Sequence, residues 1–85
     1  MANYDGKVGL TGWRGRGSVV GTATISDVER RSWVGLFRHP SFSSMLGVGP
    51  ATVTLLEHDR QGQTAPAELR EEGLLVALRG LAPFS

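Results

Sequence analysis

The chain has 85 residues, no cysteine and a formal net charge of +1, which excludes a disulfide framework and a thiolate metal site and argues against strong general affinity for polyanions. One compact domain, residues 1–85, fills that length, and a domain so small has a thin stability margin that self-association would widen. The start, MANYDGKVGL, lacks the basic and apolar regions of a secretory signal, and the longest apolar stretch, GLLVALRGLA, is broken by Arg79 and too short to span a bilayer. The expectation is a soluble cytoplasmic protein with no membrane contact. Charge is uneven: bases outnumber acids in residues 1–50 and acids outnumber bases in residues 51–85. That asymmetry suits orientation of a partner or head-to-tail pairing of copies.

A short first strand is expected near KVGLTG. It runs into GWRGRG, residues 12–17, where Trp13, Arg14 and Arg16 sit among glycines. A phosphate-cradling glycine loop needs a helix N-terminus behind it, and here a strand follows. The motif therefore reads as a bend whose tryptophan closes the core. A rim of Trp13, Arg14 and Arg16 gripping a single strand of nucleic acid is the alternative.

GSVVGTATIS alternates strictly. Val19, Gly21, Ala23 and Ile25 share one face, while Val20, Thr22 and Thr24 share the other. The small inward residues Gly21 and Ala23 point to tight curvature, as in a barrel wall. DVERR is a polar hairpin connection in which Asp27 or Glu29 partly neutralises Arg30 and Arg31. Those two arginines join the candidate anion or nucleic-acid contact. In SWVGLFR, Trp33, Gly35 and Phe37 fall on one face and Val34 and Leu36 on the other. Both faces are apolar, so the strand is either covered on both sides or faces a partner.

Residues 39–50 form the longest irregular stretch. One short helical turn is expected near residues 41–46, capped by Ser41, with Phe42, Met45 and Leu46 on its inner side, plugging a barrel end. ATVTLLEH then alternates Ala51, Val53 and Leu55 against threonines, and DRQG supplies a turn with Gly62 at positive φ. In QTAPAELR, Pro66 cannot donate to a ladder, which points to an edge or bulged strand. EEG turns the chain into LLVALRGL, the last strand, with Leu74, Val76 and Leu78 on its apolar face.

The pattern predicts an all-β fold: a small six- or seven-stranded antiparallel barrel or rolled sheet built as a meander. GTATISDVERRSWVGLF and GPATVTLLEHDRQGQTAPAEL share a phrase structure that hints at duplication and aligns Ala23 with Ala51; convergent hairpin composition accounts for it equally well.

EHDR holds the residue types of acid–base chemistry, but Glu57 and Asp59 lie across a strand from His58. Neither a histidine–carboxylate metal spacing nor a G-x-S-x-G elbow occurs. No catalytic residue, metal site or cofactor is expected, and enzymatic activity is the weakest reading. The apolar surplus comprises Trp33, Val34, Leu36 and Phe37, with Phe42, Met45, Leu46 and Phe84. Either it is all core, or it exceeds what a thin barrel hides and Trp33, Val34, Leu36, Phe42, Met45 and Leu46 mark a subunit interface or the mouth of a ligand pocket. The sequence thus reads as a non-catalytic binding module, self-associating or accessory to a larger protein. A single-strand nucleic-acid binder is the alternative.

Overall fold

A computed structural model describes residues 3–11, 19–38, 49–72 and 75–85. The described strands are β1 (Tyr4–Thr11), β2 (Val19–Ser26), β3 (Val34–Arg38), β4 (Gly49–Leu55), β5 (Thr64–Glu72) and β6 (Leu75–Gly80), with a 3-10 turn at His58–Arg60. They close into an antiparallel barrel in the order β1-β2-β3-β6-β5-β4. The all-β expectation is met with six strands. The meander comes as two three-stranded runs, β1-β2-β3 and β4-β5-β6, sealed to each other along two seams. One seam pairs Leu10 with Val53, the other Gly35 with Leu78. The two runs occupy equivalent places, as a duplication would leave them. The phrase similarity aligning Ala23 with Ala51 matches β2 to β4 instead, and these strands sit in different places.

Alternation decides what fills the barrel. Val8, Leu10, Ile25, Phe37, Val53, Leu55, Leu69, Val76 and Leu78 are buried, while β2 shows Val20, Thr22, Thr24 and Ser26 to solvent. A six-stranded interior is narrow, so large side chains need small ones opposite. Ala23, Ala51, Ala65 and Ala67 supply them, and Gly21 lies where a Cβ would overlap the Arg38 carbonyl oxygen and stand 2.7 Å from Phe37 Cζ. The first strand begins earlier than KVGLTG because Tyr4 is also buried.

One end of the barrel is closed by Trp33 and the C-terminal tail. Trp33 is fully buried, its Nε1–H donates to the Ala82 carbonyl at 2.9 Å, and its ring lies 4.6 Å from that of Phe84. A Cβ on Gly80 would fall inside the indole, so glycine there lets the ring lie against the backbone. The tail is tied down by Ser85 and Thr64, whose N–H groups each donate to the other's carbonyl at 3.0 Å. Val28 is buried too, which turns DVERR from a wholly polar connection into a turn with one apolar anchor.

Pro66 does not mark an edge, because β5 lies between β4 and β6. Its carbonyl accepts from Leu81 N–H at 3.0 Å. In an antiparallel ladder a residue's N–H and C=O point to the same neighbour, so the missing donor falls where the β6 ladder ends. The helical turn expected at residues 41–46 lies outside the described residues, as does Leu74. Of the expected EEG turn, Glu71 and Glu72 belong to β5.

Candidate interaction face

The outward side chains of β2, β3, β6 and β5 form an ordered grid, set by register. One row runs Thr24, Leu36, Ala77, Arg70; the next runs Ser26, Val34, Arg79, Glu68. A third begins with Thr22 beside Arg38 and ends with Leu75 beside Glu72. The outside of a barrel is convex, so a groove there needs a low floor between tall walls. Ala77 is the low point, with Val34 and Leu36 on one side and the charged side chains of β5 on the other. The result is an open groove of about 610 Å³. Val34 is 53% and Leu36 38% exposed, large values for branched aliphatics in a chain this small.

The polar surround is graded. Hydroxyls of β2 border one side, and Glu68, Arg70 and Glu72 alternate along the other, with Arg79 at one end. An apolar centre with a polar rim is the anatomy of a protein contact surface. Because β2, β3, β6 and β5 are neighbours within a closed barrel, this face presents no strand edge for strand addition. Whatever binds here must do so through side chains.

Two members of the sequence-derived surface, Val34 and Leu36, lie on this face. Trp33 does not: it follows the inward parity of Phe37 and is sealed in the core. Phe42, Met45 and Leu46 lie outside the described residues. So do Trp13, Arg14 and Arg16 of the candidate nucleic-acid rim. Arg30 and Arg31 are exposed on the β2–β3 turn. That turn is closed by Arg30 N–H donating to the Asp27 carbonyl at 2.8 Å, with Asp27 at φ 56°, a conformation aspartate tolerates. Glu29 does not neutralise its neighbours. Its Oε1 instead accepts from Arg60 Nη2 at 2.8 Å across the barrel end.

Glu57 and His58 of EHDR are brought together, but as a clasp on β1, and exposed Asp59 takes no part in it. The chain leaves β4 at Leu55 and His58 takes φ 66°. Glu57 Oε1 accepts from Lys7 N–H at 2.7 Å and His58 Nε2 bonds the Asp5 carbonyl at 2.9 Å. The Tyr4 hydroxyl donates to the Lys7 carbonyl at 2.6 Å and accepts from Glu57 N–H at 3.0 Å. These side chains meet the backbone of β1 beyond the point where its ladder with β4 ends. A Cβ on Gly6 would stand 2.8 Å from Glu57 Oε1, so a side chain there would press on the clasp. Among the described residues no three His, Asp or Glu side chains converge as a metal site. Replacing Tyr4 by Phe strands the part-buried Glu57 N–H and is expected to cost about 1–2 kcal/mol of stability, read as a lowered urea midpoint.

Fold and face together define a closed six-stranded β-barrel with an apolar-floored groove on the outer wall of its described residues. Comparison with protein-family models, with curated proteins and with solved structures finds no match. Among the described residues no helix is long and apolar enough to cross a membrane.

Proposed function

We propose that the protein is a cytoplasmic, non-catalytic interaction module that engages other protein through the β2–β3–β6–β5 face. The observation that supports this reading is the groove itself: exposed Val34 and Leu36 over an alanine floor, bordered by a charged strand. Solvating branched aliphatics on an outer wall costs free energy that burial against a partner recovers. The clasp around His58 supports the non-catalytic part, because Glu57 and His58 are already engaged with the β1 backbone.

Nucleic acid is the weaker candidate for this face, since Glu68 and Glu72 offset Arg70 and Arg79 where phosphates would lie. The test is capture on immobilised protein from the native extract, together with the solution mass, comparing wild type with Leu36→Glu. The expected result is an association, with another protein or with a second copy, that the exposed substitution abolishes without lowering the melting temperature. If both proteins are monomeric and recover nothing, the reading falls. A salt-sensitive titration with a single-stranded oligonucleotide, lost on replacing Arg30 and Arg31 by Ala, would favour the nucleic-acid alternative instead.

A further inference from the structure

We infer that the occupant of this face is a second copy of the chain, related by a twofold axis along the strands between β3 and β6, with Leu36 of each copy seated over Ala77 of the other. The inference rests on the reading of this face as the contact surface, and specifies its partner. In a twofold contact the same patch serves both copies, so the patch must complement itself. Rotation about that axis lays each β3 residue over the β6 residue of its own row, and each β2 residue over the β5 residue of its own row.

The grid satisfies this condition row by row. In the first row the large Leu36 meets the small Ala77, a knob over a hollow, and the contact occurs twice. In the same row Thr24 meets Arg70. In the second row Val34 lies along the aliphatic stem of Arg79, and Ser26 meets Glu68. In the third row Glu72 meets Thr22, so Glu68, Arg70 and Glu72 of β5 each face a hydroxyl able to donate or accept, and no like charges are set directly opposite in these rows. An axis placed on β3, on β6 or on β5 instead would set Arg38, Arg79 or the charged residues of β5 over their own copies, like charge on like charge, which disfavours those arrangements.

The size of the patch sets the strength. Four strands about 4.8 Å apart, with three outward positions about 6.8 Å apart on each, project to roughly 300–400 Å². A standard stable interface takes about 800 Å² from each partner, so this dimer is weak and transient, formed only at high protein concentration.

The axis makes a demand that an axis lying on any single strand does not make. Ala77→Leu fills the hollow and Leu36→Ala removes the knob, and each single change should weaken association at least about tenfold. Combined in one chain, they exchange knob and hollow across the same axis, and association should return to within about threefold of wild type. Sedimentation equilibrium from about 10 μM to 1 mM reads the masses, and thermal melts confirm that all four proteins are folded; both sites are on the outer wall, so they should be. A wild type that stays monomeric at 1 mM overturns the self-contact, as does a double variant no better than the singles. A monomer that nevertheless captures another protein through Leu36 leaves the contact surface standing and removes only the second copy. A monomer that captures nothing removes both.

Discussion

Trp33→Ala is expected to remove about 3–5 kcal/mol of folding free energy, most of what a domain of this size possesses. The indole is fully buried, holds the tail through Ala82 and Phe84, and occupies space that Gly80 leaves open. Gly80, which lies beneath the ring, has no side chain with which to fill the void. Trp33→Phe keeps much of the volume but drops the Nε1–H bond, and should cost less. Urea unfolding followed by circular dichroism decides between them. A midpoint close to wild type for the alanine variant would mean that the tail, not the ring, closes this end.

Gly21→Ala is the smallest substitution with an expected effect of comparable size. A methyl group there meets the Arg38 carbonyl oxygen, which is backbone, and the Phe37 ring, which is fixed by the core. Relief requires displacing β3 from β2, so the cost should reach about 3 kcal/mol, the upper part of the range for overpacking. Gly62 makes the comparison: a methyl group there has open space and only its φ of 94° opposes it, so Gly62→Ala should cost about 1 kcal/mol. The ratio of the two losses, measured in the same urea titration, separates crowding from backbone conformation.

Much of this barrel was legible in residue order because period-two alternation is a local property. Val19, Gly21, Ala23 and Ile25 declared the inner face of β2, and Ala65, Ala67 and Leu69 that of β5. Gly21 also announced the close approach it permits. What alternation does not encode is which strand lies beside which. Val34 and Leu36 were readable as a surplus, but their neighbour Ala77 became significant only once β3 was seen to pair with β6. Glu68, Arg70 and Glu72 alternate visibly in ELREE, yet nothing local places them across a groove from Leu36. Trp33 entered the candidate surface through its apolarity although its parity with Phe37 already assigned it inward. Tyr4, Glu57 and His58 are separated by half the chain, and their clasp depends on where β4 stops.

The two seams have a kinetic consequence. Each hairpin closes over a short loop, but Leu10 must find Val53 and Gly35 must find Leu78. Both closures pay the entropy of a long loop before any ladder bond compensates it, so folding belongs to the millisecond-to-second regime of high contact order. Until the seams form, each three-stranded run exposes two unpaired borders, the state in which one chain can lend a run to another. At high concentration during refolding, exchange of β4-β5-β6 between chains is therefore the characteristic error of this topology.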